Sequence, residues 1–366
     1  MNPLVELWNH GQSFWYDNMR RRYLFDGTIQ GLIDNDGLRG MTSNPSIFMK
    51  AIGQSDDYDG QIAQLAAAGH GIKEIYEALA IRDIQIACDL FTNLYMASNR
   101  GDGYVSLEVS PDLARDTQGT VDEARRLFAA VDRPNLMIKV PATPEGIPAI
   151  QTLISEGINV NVTLMFNMDH YVAVAYAYIN GLKSFIANGG DPSKVASVAS
   201  FFVSRVDVKI DEQLDAIDDP TAKAALGKVA VANCKVVYQR FKEIFHGDAF
   251  SQLAAAGGTP QRVLWASTST KNPSYPDTLY VDTLVGPETV NTMPPKTIDA
   301  FRDHGTAANV VETDVADAEK TLADIAAVGV NLKETTEALQ DAGVESFAKA
   351  FVKLMTTLEE EVAKYR

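Results

Sequence analysis

Short runs of β-branched and aromatic residues alternate with longer amphipathic stretches along most of this chain. The short runs predict strands near residues 14–16, 38–42, 104–109, 136–140, 160–164, 198–203, 263–267 and 279–284. Between them, as in residues 72–91 and 169–187, apolar residues recur with a period near 3.6, which is typical of amphipathic helices. A strand followed by a helix, repeated about eight times, predicts an α/β fold that is a closed parallel (β/α)8 TIM barrel.

A doubly wound open sheet is the main alternative architecture, but no G-x-G-x-x-G motif follows the first predicted strand to support it. From about residue 290 onward the pattern is helical, with amphipathic stretches at 316–329, 333–343 and 344–366. No low-complexity linker divides the chain. We therefore expect a single domain over residues 1–366, with about 290–366 forming additional C-terminal helices packed on the barrel exterior.

Composition and charge restrict the possible partners. The chain has 366 residues, of which 46% are hydrophobic and 22% are charged, so it can bury a large core. Its 32 Lys and Arg against 48 Asp and Glu give a formal net charge of -16. Nucleic acids require a basic surface, so we expect no nucleic-acid partner. A phosphorylated ligand would have to be held by a few local cations.

The cysteines, the N-terminal residues and the hydropathy pattern predict a soluble, cytoplasmic protein. Cys88 and Cys234 offer neither a disulfide framework nor a metal-ligand spacing, and we expect two buried thiols rather than a bridge. Residues 1–17 lack a basic region leading into an apolar one, so we expect no signal peptide. No apolar run is long enough to predict a membrane span. The five histidines are scattered, so we expect no metal site.

Polar residues stand near the carboxyl ends of successive predicted strands, where barrel enzymes place their functional groups. One such residue would carry little information, whereas polar residues at nearly every strand end indicate a functional mouth. The residues concerned are Asp17, Asn44, Glu108, Lys139, Asn161, Thr163, Ser200, Arg205 and Ser267.

Lys139 is the most informative of these, because it lies in the middle of the apolar segment 136–140. On an exposed strand its stem would lie along the surface with the ammonium group in water. The strands of a parallel barrel are covered on both sides, so there the side chain can only point into the mouth. Removal from water disfavours the charged form of an amine, and a neutral amine can form a Schiff base with a carbonyl. The residues alone leave both interpretations open.

Two carboxylates are expected near this amine. Glu108 alternates with Leu107 and Val109, so it lies on the same side as Lys139 if both point inward. It is either an ion-pair partner or a proton shuttle for imine formation. Asp17 contributes a second carboxylate from another strand. One amine with two acid–base groups is the set that a retro-aldol cleavage requires.

Two longer segments resemble the signature segments of the transaldolase family, GMTSNPSIF at 40–48 and NLMIKVPATPEGI at 135–147. The similarity continues through EGINVNVTLMF (156–166), SVASFFVSRVD (197–207) and WASTSTKNPSYPDTLYV (265–281), and therefore covers nearly the whole chain. The longer bacterial subfamily is the most similar. The resemblance implies a (β/α)8 barrel, without metal or cofactor, that transfers a dihydroxyacetone unit between sugar phosphates of the pentose phosphate pathway.

The resemblance also implies a catalytic role for four residues at matching positions. Lys139 would form the Schiff base with the donor's carbonyl. Glu108, with Thr163, would hold and activate the water used in making and breaking that imine. Asp17 would take the proton of the donor's C4 hydroxyl as the C3–C4 bond breaks, and return it to the acceptor.

The remaining matching positions would bind substrate. The dihydroxyacetone hydroxyls or the imine region would be held by Asn44, Asn161 and Ser200, and the phosphate by Arg205 and Ser267. One position departs from the family, because the commoner transaldolases carry an arginine two residues after this serine, where the chain has Ser269. We expect Lys271 to replace that arginine.

Three other functions are distinguishable in the sequence. A fructose 6-phosphate aldolase of the same superfamily would release free dihydroxyacetone, but those relatives are much shorter and carry glutamine and tyrosine at the positions of Glu108 and Phe202. A non-catalytic sugar-phosphate-binding barrel would lack Lys139 or the carboxylates. A metal-dependent aldolase would need clustered ligands. We expect sugar-phosphate substrates, no cofactor, and a monomer or homodimer.

Overall fold

The computed structural model describes residues 2–365, in which eight parallel strands close into a barrel in the order of the sequence. The predicted (β/α)8 architecture is therefore confirmed. The strands are β1 (Gln12–Asp17), β2 (Gly40–Thr42), β3 (Tyr104–Glu108), β4 (Leu136–Pro141), β5 (Val160–Met165), β6 (Ser197–Phe202), β7 (Arg262–Ala266) and β8 (Thr289–Met293).

Helices cover the outside of the barrel and part of its mouth. Seventeen α-helices occur within residues 2–365: α1 (Pro3–Asn9), α2 (Arg21–Phe25), α3 (Thr28–Asp36), α4 (Pro45–Gly53), α5 (Asp59–Ala67), α6 (Ile72–Ala97), α7 (Thr117–Val131), α8 (Gly146–Ser155), α9 (Met168–Ala187), α10 (Ser204–Asp215), α11 (Pro220–Ala225), α12 (Val229–Phe245), α13 (Asp248–Ala255), α14 (Leu279–Asp282), α15 (Pro295–His304), α16 (Val315–Ala327) and α17 (Leu332–Ala363). Two short 3-10 turns lie at Pro111–Leu113 and Pro192–Lys194.

The register of neighbouring strands places the polar residues of the middle strands in one layer. Glu108 of β3 pairs with Lys139 of β4, and Lys139 pairs in turn with Asn161 of β5. Side chains alternate between the two faces of a strand, and paired residues of parallel strands point to the same face. The three polar side chains therefore all point into the barrel, while Ile138 and Val140 pack outward under the helices.

The centre of the barrel is filled by Trp15, whose side chain is fully buried. Room for the indole comes from Gly40 on the neighbouring strand, since a Cβ atom at that position would lie 2.6 Å from the Trp15 ring. Below this layer, Asp102 accepts hydrogen bonds from Arg39 (2.6 Å) and Arg262 (3.0 Å). This ion cluster closes the amino-terminal end of the barrel.

The predicted eighth strand is wrong. Residues 279–284 contain the short helix α14, and β8 lies further along the chain at Thr289–Met293. The apolar pattern of 279–284 is typical of a strand, whereas β8 has polar side chains at alternate positions. These are buried because Thr289 accepts a hydrogen bond from Gln12 (2.9 Å) and Asn291 accepts one from Thr268 (2.9 Å). Burial through hydrogen bonds leaves no hydrophobic signal.

The helical C-terminal region begins at Pro295, after β8, and its last helix does more than cover the outer wall. The predicted stretches 333–343 and 344–366 are parts of one helix, α17. The Gln340 amide donates hydrogen bonds to the carbonyls of Ala142 (3.0 Å) and Leu164 (2.9 Å), at the carboxyl ends of β4 and β5. The part of α17 around Gln340 therefore lies at the barrel mouth.

Cys88 and Cys234 are both buried and form no disulfide, as expected. Within residues 2–365, no helix combines the length and the hydropathy that crossing a membrane requires.

Replacing Gly40 by alanine should destabilise the barrel, because the added methyl group overlaps the buried Trp15 ring. We expect the free energy of unfolding to fall by about 1–3 kcal/mol, the range for overpacked cores. Urea denaturation followed by fluorescence measures this change. Gly60→Ala is the matched control, since no atom lies within 4 Å of a Cβ there. An equal effect of the two substitutions would contradict the packing argument.

Candidate active site

An open cavity of about 720 Å³ occupies the carboxyl ends of the strands. Its wall contains eight of the ten residues that the sequence predicts for the site: Asp17, Asn44, Lys139, Thr163, Ser200, Arg205, Ser267 and Lys271. The other two, Glu108 and Asn161, lie behind this wall. We call this space the mouth cavity.

Lys139 points inward from the middle of β4 and is 5% exposed. Its Nζ donates hydrogen bonds to Glu108 Oε2 (3.2 Å) and to the backbone oxygen of Ser43 (3.3 Å). The same nitrogen lies 5.5 Å from the centre of the Phe347 ring of α17. The amine is therefore withdrawn from bulk water, beside a carboxylate and at the edge of the mouth cavity.

Both predicted carboxylates lie near this amine and are partly buried. Burial raises the pKa of Asp17, against the lowering effects of the Lys139 charge and of the hydrogen bond from Thr42 (2.8 Å). Burial likewise raises the pKa of Glu108, again opposed by Lys139. A raised pKa favours the protonated form of a carboxyl group, and perturbed carboxyl groups of this kind are suited to acid–base roles.

Asn161 and Ser200 form a hydrogen-bonded chain across the floor of the mouth cavity. Ser200 Oγ donates to Asn161 Oδ1 (2.7 Å), and Asn161 Nδ2 donates to Ser106 Oγ (2.9 Å). Ser200 faces the cavity, whereas Asn161 is fully buried beneath it. In this structure Asn161 therefore orients Ser200.

Thr163 follows a distortion of β5. The pairing with β6 shifts register between Val162 and Met165, and Leu164 has a positive φ of 59°. A leucine in the left-handed region is uncommon. Strained backbone of this kind, like a shift of strand register, is frequent at functional strand ends. The Thr163 hydroxyl is buried and has no hydrogen-bond partner within residues 2–365. It is thus available to water or to a ligand in the cavity.

Arg205 and Lys271 make the opposite side of the cavity cationic. Arg205 forms no hydrogen bond or ion pair with any residue in the described range 2–365, and its guanidinium lies 5.1 Å from the Phe202 ring and 5.9 Å from the Phe347 ring. Burial lowers its pKa. The pKa of Lys271 is lowered by partial burial and then by the charge of Arg205.

Three hydroxyls accompany these cations. Lys271 Nζ donates to Ser269 Oγ (2.6 Å), and Ser267 Oγ lies 3.0 Å from Ser204 Oγ. Ser267 has a positive φ of 58°, which turns the chain at the end of β7 towards the cavity. Two cations and several hydroxyls around an unfilled space are the donors that an anionic oxygen group requires.

Asn44 is held by the helix that it begins. Its Oδ1 accepts a hydrogen bond from the backbone nitrogen of Ile47 (3.0 Å) and so caps α4. Asparagine is a favoured capping residue because its side-chain oxygen satisfies an unpaired backbone N–H group. The amide nitrogen remains as the donor available to a ligand in the mouth cavity.

Several residues of the cavity wall could not be predicted from the sequence. The largest is Phe347, which lies more than two hundred positions after Lys139 along the chain and reaches the mouth only because α17 crosses it. Its neighbours in α17 follow an ordinary amphipathic pattern, so no local signal marks it. No local pattern marks Thr42 and Thr292 either. Their hydroxyls lie 2.6 Å apart beside Asp17.

Within residues 2–365, no group of three or more His, Cys, Asp or Glu side chains is arranged to hold a metal ion.

The fold and the contents of the mouth define a class, that of (β/α)8 barrel enzymes with a buried lysine and acid–base carboxylates. A family model described as transaldolase/fructose-6-phosphate aldolase matches residues 14–358, and the chain belongs to this family. It is 47% identical over 373 residues to a protein named transaldolase from Trichodesmium erythraeum, covering 99% of this chain and 98% of that protein.

Two further relatives span nearly the same length. A protein named transaldolase 2 from Nostoc sp. is 46% identical over 373 residues, with 99% of this chain and 98% of the relative covered. A protein named transaldolase from Thiobacillus denitrificans is 48% identical over 358 residues, with 98% and 100% covered. The family resemblance of the sequence segments is thereby confirmed.

The helix α10, which carries Arg205, also contains Asp207, a buried carboxyl group that hydrogen-bonds to two other helices. Asp207 accepts hydrogen bonds from Ala230 N (2.7 Å) and from the Tyr280 hydroxyl (2.7 Å). Burial raises the pKa of Asp207 from 3.8 to about 6. The folded chain therefore binds this proton more tightly than the unfolded chain. Its stabilising contribution is present below about pH 4 and is lost as the pH rises to about 6.

Asp207→Asn should remove this pH dependence, because the amide does not titrate. Its oxygen can still accept from Ala230 N, while its nitrogen can only donate to the Tyr280 hydroxyl oxygen, which reverses that hydrogen bond. We expect the stability difference between wild type and variant to change by up to about 3 kcal/mol between pH 4 and pH 6, and to be constant above that range. Chemical denaturation at several pH values measures it. Parallel pH profiles of the two proteins would contradict the assignment.

Proposed function

We propose that the protein acts as a transaldolase, which transfers a dihydroxyacetone unit from a ketose phosphate to an aldose phosphate through a Schiff base on Lys139. The observation that carries this proposal is the placement of a buried amine 3.2 Å from Glu108 and in one cavity with Asp17, in a chain of this family. The full-length relatives named transaldolase support the same conclusion.

The first step joins Lys139 to the donor. The amine attacks the C2 carbonyl and gives a carbinolamine. Protonation of its hydroxyl by the Glu108 carboxyl releases water as the nitrogen lone pair forms the C=N bond, which leaves Glu108 as a carboxylate. The raised pKa of Glu108 supports this role, since burial favours the protonated form that can act as the acid. The unpartnered Thr163 hydroxyl on the cavity wall supports its assignment to the water.

The second step breaks the C3–C4 bond of the donor. The Asp17 carboxylate takes the proton of the C4 hydroxyl, the bonding electrons move into the iminium group, and the aldehyde leaves. The enamine on Lys139 then attacks the acceptor aldehyde, and Asp17 returns its proton to the new hydroxyl. Support comes from the position of Asp17 in the mouth cavity, with its burial and its hydrogen bond from Thr42.

The cationic side of the cavity is assigned to the substrate phosphate. Arg205 is unpaired within residues 2–365, and Lys271 with Ser267 and Ser269 lies on the same wall. We therefore infer that Lys271 takes the place of the arginine found in the commoner members of the family. Asn44 and Ser200 are assigned to the dihydroxyacetone hydroxyls, with Asn161 acting through Ser200.

Transfer is favoured over simple aldol cleavage by two positions. Glu108 and Phe202 stand where the aldolases of the same superfamily carry glutamine and tyrosine. We infer sedoheptulose 7-phosphate or fructose 6-phosphate as donors and glyceraldehyde 3-phosphate or erythrose 4-phosphate as acceptors. A reducing, cytoplasmic location is supported by the two buried, unbridged cysteines. A monomer or homodimer stays a prediction.

Reduction with borohydride in the presence of fructose 6-phosphate should attach the sugar fragment to Lys139. Mass spectrometry of the digested protein locates the adduct. Lys139→Met should abolish both the label and the activity. Lys235→Met is the matched control, because Lys235 is also buried but donates only to the Thr313 carbonyl outside the mouth cavity. A label on another lysine would contradict the assignment of Lys139 as the Schiff-base residue.

Arg205→Gln should weaken the binding of phosphorylated substrates specifically. Loss of a charge-assisted hydrogen bond of about 1.5–3 kcal/mol predicts a rise in KM for glyceraldehyde 3-phosphate of about ten- to a hundredfold. The KM for unphosphorylated glyceraldehyde should change little. Steady-state kinetics with both acceptors tests this. Equal losses for the two acceptors would show that Arg205 does not bind the phosphate.

A further inference from the structure

Glu108 borders two smaller cavities on the far side of Lys139, rather than the mouth cavity, among the spaces formed by residues 2–365. The first, of about 380 Å³, lies between the end of β3 and helices α6 and α7, and we call it the outer cavity. The second, of about 230 Å³, lies beneath α17 and is bordered by Phe347. Residues 108–111 line both. The carboxyl group that accepts a hydrogen bond from Lys139 thus also borders these two cavities.

Polar atoms without protein partners line the outer cavity. The Ser110 hydroxyl is buried and has no hydrogen-bond partner within residues 2–365. In the same range the Tyr76 hydroxyl and the Oε1 atom of Glu108 also form no hydrogen bond. A buried hydroxyl such as that of Ser110 is normally satisfied by ordered water, because leaving it unpaired is costly.

The outer end of this cavity is polar and reaches the surface. Glu123 accepts hydrogen bonds from the backbone nitrogen of Ser110 (2.6 Å) and from Lys73 Nζ (3.3 Å). The Lys73 side chain is half exposed. The cavity has charged groups at its rim, hydroxyls along its wall and a carboxyl group at its inner end. Together they form a path along which water can be hydrogen-bonded throughout.

We propose that the outer cavity is a water passage through which the water released and consumed at the Lys139 imine exchanges with solvent by way of Glu108. This inference rests on the proposed function. In imine formation the C2–O bond breaks, the oxygen takes the Glu108 proton, and the water leaves past Ser110 and Tyr76. In hydrolysis a water from the passage gives its proton to the Glu108 carboxylate while its oxygen bonds to C2.

The passage has a consequence for a substrate that fills the mouth cavity. A sugar phosphate bound between Lys139 and Arg205 stands between the imine and the open end of the mouth, so the released water has no direct exit there. With the passage open, that water is replaced by bulk water before hydrolysis. With the passage closed, the same water is retained and returns to C2.

Oxygen-18 exchange distinguishes these cases once it is scaled to the rate of imine formation. Asp17→Asn is the common background, because without this carboxylate the C3–C4 bond stays intact and the sugar phosphate keeps the mouth filled. Fructose 6-phosphate is incubated in water enriched in oxygen-18, mass spectrometry gives the label at C2 of the recovered sugar, corrected by an enzyme-free sample, and borohydride trapping gives the rate of imine formation. Ala80→Leu fills the outer cavity from α6. We expect the exchange per imine formed to fall at least about threefold relative to Asp17→Asn alone, because the bridging waters are displaced.

Ala78→Leu is the matched control, because it lies on the same helix outside the cavity wall, and it should retain the exchange of the Asp17→Asn background. Ser110→Val narrows the passage from the opposite wall and should repeat the effect of Ala80→Leu if either variant proves unstable. Unchanged exchange in both cavity variants, or no exchange in the background although the imine forms, would overturn the passage. Absence of a Lys139 imine, or of any sedoheptulose 7-phosphate when the wild type also receives erythrose 4-phosphate, would instead refute the proposed function.

Discussion

Lys139 points into the interior of the barrel, and the arrangement of the mouth follows from the need to compensate a buried amine. Taking such a group out of water is costly unless it is paired and hydrogen-bonded. The structure supplies Glu108 at 3.2 Å, the Ser43 carbonyl at 3.3 Å and the face of Phe347. Each partner comes from a different element, β3, the loop after β2 and α17. A change in any of these elements therefore reaches the amine.

The last helix is part of the site for the same reason. Gln340, Gly343 and Phe347 lie on one face of α17, at helical spacing. Gln340 ties the helix to the ends of β4 and β5, and a Cβ atom at Gly343 would lie 2.8 Å from Leu164. The close approach sets the height at which Phe347 sits between Lys139 and Arg205. A segment near the C-terminus thus determines how much of the amine is covered.

The sequence predicts those parts of the fold and site whose cause is local. Alternation along β3 and β4 is enough to put Glu108 and Lys139 on the same face if both point inward, whereas the register that pairs them is seen only in the structure. β8 is missed because Thr289 and Asn291 are buried through hydrogen bonds to distant residues. Asn161 matches a binding position of the family, yet its amide is used between Ser106 and Ser200. Contacts between distant segments decide these cases, and no local pattern records them.

The negative net charge of the chain makes it informative that Arg205 forms no ion pair within residues 2–365. With 48 acidic residues against 32 basic ones, acidic partners are abundant. Even so, this half-buried guanidinium forms no ion pair or hydrogen bond within residues 2–365, although the charge of Asp17 acts on it, and it rests against two aromatic rings. Leaving a cation unpaired in this environment opposes folding, and an anionic ligand reverses that cost when it binds. Binding energy gained at the phosphate end can then position the donor's C2 carbonyl against Lys139, where the bond-making step takes place.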